Sequence, residues 1–340
     1  MTLAIGHLSF LIPGTYPDND PYAGLEAALK MFELGERLGY HGAWVRQRHL
    51  EHDVSSAVVF LAAATQRTRH IQIGSAVIQM GYETPFRLAE DLAMVEVLSQ
   101  GRLNVGLSAG PPQHLELMAP LVFDGDWKAV DFSYRRIERL VRHLRSEPLG
   151  DPIPIPGGTT IPRLQPQAPG LLDRLWYGGG SVKSAEWAGR NAFNLLLGNV
   201  TSGEGTDSFT EAQLNQIRTY RWALPAQART RIAVGRVIVP TDGANAATRA
   251  KYAAYAASRT ARTLQPHGEK RTLFANDLVG SAAEIVDRLL VDPVLGLVDE
   301  LRLELPYEFT QGEYQQILED AIELIAPVLA NRKEPAAQRA

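Results

Sequence analysis

The run Ile71-Gln72-Ile73-Gly74-Ser75-Ala76-Val77-Ile78, then Thr84-Pro85-Phe86-Arg87-Leu88-Ala89-Glu90-Asp91-Leu92, then Gly101-Arg102-Leu103-Asn104-Val105-Gly106-Leu107-Ser108, decides the fold. Its first part is β-branched and apolar, which reads as a buried strand. Thr84-Pro85 offers an N-cap residue followed by proline at the first helical position. Leu88, Leu92 and Val95 then recur at helical spacing until Gly101 stops the helix, and Leu103 to Ser108 returns to strand character. A strand, a helix and a second strand joined this closely make a parallel βαβ unit.

The same unit repeats outward in both directions. Upstream, Ile5 to Ile12 reads as a strand, and Tyr22 to Leu38 as a helix with Leu25, Ala28, Leu29 and Phe32 on one face. Gly39 closes that helix, Gly42 to Arg46 is the next strand, and Ser55 or Ser56 caps a helix through Val58, Ala62 and Gln66. Downstream, Ile137, Leu140, Val141 and Leu144 mark a helix. Leu175–Gly178, Phe193–Leu197, Ile232–Val239 and Leu301–Leu305 supply four more strands. A final stripe of Ile317, Leu318, Ala321, Leu324, Ile325 and Val328 predicts one continuous helix. Eight alternations in a chain of 340 residues predict a closed (β/α)8 TIM barrel, with a doubly wound sheet as the structural alternative.

Residues 1–330 are expected to form one domain. Two stretches break its rhythm. Seven of the 21 prolines lie between Pro148 and Pro169, so about 145–172 reads as an insertion before the fifth strand, outside the barrel and hairpin-like. Residues 265–277 form a long, mixed connection of the kind that serves as a lid. The tail 331–340 is charged, alanine-rich and expected to fray.

Composition narrows the function. The absence of cysteine removes disulfides, thiolate metal sites and cysteine nucleophiles. A net charge of −4 gives no basic footprint for nucleic acid. No apolar run reaches the roughly 18 residues of a membrane span. Met1 to Pro13 lacks the charged start and cleavage site of a signal peptide, so a cytoplasmic protein is expected. Of the eight histidines, His7 stands alone on strand one, and His49 and His52 could meet at i,i+3 but have no third ligand nearby, so no metal site is expected, and no Gly-x-Ser-x-Gly elbow appears.

In a barrel the reactive groups gather at the C-terminal ends of the strands. Strand two ends in Arg46-Gln47-Arg48-His49, either a solvated loop or an anion or cofactor edge. Strand four ends in the small-residue turn Ser108-Ala109-Gly110-Pro111-Pro112. Strand five ends in Gly178-Gly179-Gly180-Ser181-Val182-Lys183-Ser184, glycines and hydroxyls at a helix start, where amide groups and the helix dipole favour phosphate.

Several of these blocks, in order, resemble the bacterial luciferase-like flavin-dependent monooxygenases. They are Ala43 to His49, Ile73 to Val77, Pro85 to Leu92 with Leu98 to Gly106, Gly178 to Ser181, and Leu278-Val279-Gly280-Ser281-Ala282-Ala283-Glu284-Ile285-Val286. The resemblance implies an enzyme that uses reduced FMN and O2 to oxygenate a small organic substrate, with a separate NAD(P)H:flavin reductase supplying the flavin. It places the flavin ring by Ala76, Val77, Ser108, Ala109 and Gly110, with a cis peptide at Ala76–Val77, and the phosphate by Gly179, Gly180, Ser181 and Ser184. His49 and Arg48 become the candidate catalytic residues, and Arg46, Tyr82, Glu83 and His114 the candidate substrate pocket.

The departures are as informative. Arg48 stands where luciferases carry the first of two adjacent histidines, and Ala109 where they carry a phosphate-binding arginine. The phosphate charge is therefore expected to fall to Arg46, Arg48 or Lys183. Related branches imply two other readings: a dehydrogenase using the 8-hydroxy-5-deazaflavin coenzyme, and a non-catalytic flavin-binding protein. The resemblance also implies a homodimer through the second and third helices, where Ala62-Ala63-Ala64, Ala89 and Ala93 permit close packing.

Overall fold

The computed structural model describes residues 5–330. The expected tail at 331–340 lies outside the described residues. Eight strands form a closed, all-parallel barrel: β1 (His7–Ile12), β2 (Gly42–Val45), β3 (Gln72–Gln79), β4 (Leu103–Ser108), β5 (Leu175–Gly179), β6 (Asn194–Leu197), β7 (Ile232–Arg236) and β8 (Glu300–Glu304). Neighbours in sequence are neighbours in the ring, and β8 closes on β1 with His7 opposite Glu300 and Leu11 opposite Glu304.

Local chemistry explains the elements. The Asp20 carboxylate accepts the Ala23 N–H at 2.9 Å, Pro21 starts the helix Pro21–Leu38, and Gly39 ends it in the left-handed region. Ser56, rather than Ser55, caps Ala57–Arg67. The helix Pro85–Ser99 starts at the expected proline, although the Thr84 side chain makes no capping bond. Arg102, just beyond it, is buried and donates to the carbonyls of Thr68, Ile71 and Ser99, which ties two loops together at the barrel's N-terminal end. The predicted last helix is interrupted by a π-turn at Ala321–Ile325 between Gln311–Asp320 and Ala326–Ala330. That wider turn rotates the stripe, so Ile325 and Leu329 are buried while Leu324 and Val328 face solvent.

The main core lies between barrel and helices. Fully buried Phe10 and Phe32 meet edge to face there, each contributing about 2–3 kcal/mol by burial. A second cluster joins Leu11, Trp44, Trp176, Leu196 and Ala233, residues of five strands that can meet only inside the barrel. Trp44 and Trp176 touch edge to face at 5.7 Å, and the Arg302 guanidinium lies 3.5 Å over Trp44. Gly74 makes room for this plug, since a Cβ there would fall 2.4 Å from the Trp44 ring.

The proline-rich insertion is an antiparallel hairpin, Ile153–Ile155 with Gly158–Thr160. The segment 265–277 carries a strand of its own, Thr272–Phe274, paired antiparallel with Val200–Ser202 above β6.

Candidate active site

The barrel mouth is shaped by a break in β3. Register with β4 shifts between Ser75 and Ile78, and the Ala76–Val77 peptide within the break is cis. The Ser75 hydroxyl repairs the ladder, accepting the Gly106 N–H at 3.2 Å and donating to the Gly106 carbonyl. β4 must carry glycine here, because a Cβ at Gly106 would lie 2.4 Å from the Ser75 carbonyl oxygen. The break presents Ala76 and Val77 to the mouth.

Two cavities adjoin there, and Gly178 and Gly180 line both. The first, of 440 Å³, lies above the Trp44–Trp176–Arg302 plug and reaches from Ala76 and Val77 to Glu304 and Tyr307 across the ring. The second, of 660 Å³, holds Ser108, Ala109, Ser181 and Ser184 under the segment Glu269-Lys270-Arg271. Candidate ring-binding and phosphate-binding residues are thus brought onto two adjoining cavities that share Gly178 and Gly180. Gly110, at φ 115°, sits just beyond the lining.

The glycine turn after β5 leads into a capping box: Ser181 accepts the Ser184 N–H, and the Ser184 hydroxyl accepts the N–H groups of Gly180 and Ser181. The Val182 N–H donates to the Glu204 carboxylate at 2.7 Å. A carboxylate therefore stands at the helix N-terminus, the position an external anion prefers.

At the end of β2 the four residues diverge. Arg46 turns inward to the Glu304 carboxylate at 2.7 Å, and Arg48 faces the first cavity with Glu51 at 3.7 Å. Gln47 is buried, and its carbonyl accepts the Ala57 N–H at 2.9 Å. Its amide NH2 is then free to donate to Glu83 and to the His49 Nε2, at 3.2 and 3.1 Å. That donation assigns Nε2 as an acceptor, placing the proton of neutral His49 on Nδ1. Burial agrees, lowering the His49 pKa, and it raises that of Glu83. His49 stacks on Tyr82 at 3.8 Å. His49, Tyr82 and Glu83 form a wall behind the mouth rather than part of either cavity lining. His114 is exposed at the start of the helix Leu115–Val122, also away from both.

Spacing along the chain could not find several groups that the mouth contains. Lys270 and Arg271 line the second cavity, whereas exposed Lys183 lines neither. Arg259 and Arg262, on the helix and turn after β7, line the first cavity and share the Asp277 carboxylate. Only the closure of the ring brings these within reach of β3 and β5. Among the described residues no group of three His, Asp or Glu side chains is placed to hold a metal.

A closed parallel barrel with two adjoining, glycine-lined cavities at the C-terminal ends of its strands defines a (β/α)8 enzyme scaffold. Residues 7–293 match the luciferase-like monooxygenase family, and the chain belongs to that family. Limonene 1,2-monooxygenase of Rhodococcus erythropolis is 36% identical over 107 residues, 31% of this chain and 27% of that protein. The matches to the first three curated relatives span only about a quarter to a half of their lengths.

Among solved structures, the FMN complex of the oxygenating constituent of 3,6-diketocamphane monooxygenase from Pseudomonas putida superposes with a TM-score of 0.71. It is 17% identical, with 96% of this chain and 99% of that one covered. An F420-dependent secondary alcohol dehydrogenase superposes at 0.62 with 14% identity, covering 96% and 99% of the two chains. At these identities the structures show the shared fold.

Proposed function

We propose that this protein is an FMN-dependent monooxygenase that receives reduced FMN from a separate NAD(P)H:flavin reductase and uses O2 to oxygenate a small organic substrate. The observation that carries this reading is the pair of adjoining cavities that share Gly178 and Gly180, with Ala76, Val77 and Gly179 lining one and the hydroxyls of Ser181 and Ser184 the other. The floor suits a flat ring, and an added Cβ at Gly180 would meet nothing within 4 Å. Bound reduced flavin supplies the electrons for oxygen activation.

The protein's part is binding, orientation and exclusion of water. Ala76, Val77 and Ser108 hold the ring, and Gly180, Ser181 and Ser184 hold the phosphate. In this reading Lys270 and Arg271, not Lys183, supply the compensating charge; Arg271 already pairs with Asp207. Burial favours the neutral His49 ring and the Gln47 donation to Nε2 puts its proton on Nδ1, while Arg48 offers a guanidinium to an anionic or carbonyl oxygen. The segment 265–277 covers the hollow as a lid hinged on its pairing with Val200–Ser202.

A cytoplasmic location fits this reading, since NAD(P)H-dependent flavin reduction is a cytoplasmic supply, and no helix among the described residues is long and apolar enough to cross a membrane. A homodimer fits as well: Ala64, Ala89 and Ala93 are consumed in the chain's own packing, but Val59, Met94, Val97 and Leu98 leave an apolar face on the second and third helices. The F420-dependent neighbour favours a second reading, a deazaflavin-dependent dehydrogenase.

Fluorescence titration with FMN, riboflavin and the deazaflavin coenzyme separates the two. Oxygen consumption with reduced FMN, corrected for free peroxide, then tests turnover. Failure to bind either cofactor refutes both readings.

A further inference from the structure

Gln47 stands between Arg46 and Arg48 at the end of β2, buried, with its amide engaged at both ends. The carbonyl oxygen accepts the Ala57 N–H at 2.9 Å, and Ala57 is itself fully buried at the first turn of the helix Ala57–Arg67. Turning the amide over would set its NH2 against that N–H, two donors face to face in a site closed to water. The start of the helix therefore fixes which way the amide points. Its nitrogen must face the other side, where the Glu83 Oε1 lies at 3.2 Å and the His49 Nε2 at 3.1 Å.

Both acceptors are held in place. Buried Arg136, on the helix Arg135–Leu144, donates to the carbonyls of Met80 and Glu83 and so pins the turn after β3. His49 stacks at 3.8 Å on Tyr82 of the same turn, and the Tyr82 hydroxyl donates to the Gln113 carbonyl at 2.8 Å.

A neutral imidazole takes up a proton only at the nitrogen that carries none. In His49 that nitrogen is Nε2, and the Gln47 N–H already occupies it. Protonation there would oppose two donors 3.1 Å apart, and the amide cannot offer its oxygen instead without orphaning the buried Ala57 N–H. The Nδ1 has no hydrogen-bond partner among the described residues, and it is not sealed from solvent. The titratable groups around the ring are Arg48, Glu51 and Asp53 on its own loop, Tyr82 on its face, and Glu83 and Arg136 beyond Gln47. Burial lowers the His49 pKa with no offset from any of them.

We infer that Gln47 is a positioning residue that locks His49 as a neutral ring protonated at Nδ1, so that His49 serves as a fixed hydrogen-bond donor and never as an acid or base. The inference rests on the flavin reading only for the acceptor that Nδ1 meets, an oxygen or nitrogen of a ligand bound at the mouth.

The test is two-bond 1H–15N correlation spectroscopy of the full-length, histidine-labelled protein, with and without FMN, from about pH 8 to about pH 5. The His49 signals are assigned by their loss in His49→Gln. In the unaltered protein His49 is expected to be the Nδ1–H tautomer and to remain neutral as pH falls to its ordinary value of 6.5. Gln47→Glu keeps an oxygen for the Ala57 N–H and turns a second, negatively charged one toward Nε2. It is expected to move the proton to Nε2 and raise the proton affinity of the ring at least about tenfold. A side chain that merely filled space would change neither, and the spectrum of the unaltered protein does not depend on how the variant folds.

The inference is overturned if His49 in the unaltered protein carries its proton on Nε2, or is already half protonated at or above 6.5. It is also overturned if folded Gln47→Glu keeps the original tautomer and affinity. A locked ring in a protein that binds no FMN upholds the inference and removes the flavin reading; a freely titrating ring in a protein that binds FMN does the reverse.

Discussion

Replacing Glu204 by Gln removes one negative charge from the start of the helix Val182–Arg190 while preserving an oxygen that can accept the Val182 N–H, now bonded at 2.7 Å. A phosphate by Gly180, Ser181 and Ser184 would share that small volume with the carboxylate. Glu204 is exposed, so the repulsion acts through water-like surroundings. At about 5 Å and a dielectric constant of about 80, two unit charges repel by about 0.8 kcal/mol. A phosphate monoester carries about −1.5 to −2, which brings the sum to between about 1 and 2 kcal/mol. Glu204→Gln should therefore tighten FMN by roughly five- to thirtyfold at low salt and leave riboflavin unchanged. The unliganded variant should be slightly less stable, because the carboxylate complements the helix dipole by about 0.3–1 kcal/mol. Fluorescence titration of both flavins at two salt concentrations, with thermal unfolding of the free protein, reads all of these. FMN affinity that stays constant or falls, or an equal gain for riboflavin, would refute the placement of the phosphate.

Asp53 is nearly inaccessible, with one carboxylate oxygen accepting the Val54 N–H at 2.7 Å and the other lacking a partner, and burial raises its pKa to about 6. A pKa raised by folding costs stability as pH climbs from the unfolded value of 3.8 through about 6, so Asp53→Asn should stabilise at pH 7 to 8 and not near pH 4. Urea unfolding at the two pH values checks this, with a gain on the order of 1–3 kcal/mol expected only at the higher one. Gly106→Ala drives a Cβ against the Ser75 carbonyl, backbone that cannot swing aside, and should cost about 1–3 kcal/mol, visible as a lowered unfolding midpoint. The segment 265–277 should be cut by protease more slowly once FMN is bound; equal rates in both states would remove its role as a lid.

The recognition of a βαβ repeat needs only local chemistry, and the residues show why it was legible. Pro85 and Gly101 bracket a helix, and Ser56 caps another, through contacts a few residues long. The glycine–serine turn after β5 was legible for the same reason, as a strand end running into a capping box. The π-turn at Ala321–Ile325 was not, because an apolar stripe continues through it and only the rotation reveals which residues leave the core. His49, Tyr82 and Glu83 stood at the expected strand ends, yet their side chains turn behind the mouth, a matter of what Gln47 and Ala57 demand of them.

By itself, then, the sequence determined the eight-unit barrel, the end of it that carries the site, and the small-residue floor, because patterning, caps and turns are local or periodic. Tertiary structure alone decided which charges share that floor. Lys270 lines one cavity with Ser181, Arg262 lines the other with Val77, and Glu204 accepts the Val182 N–H because the ring closes and the segment above β6 folds back over it. Electrostatics acts through distance in space, and no spacing along the chain records that distance.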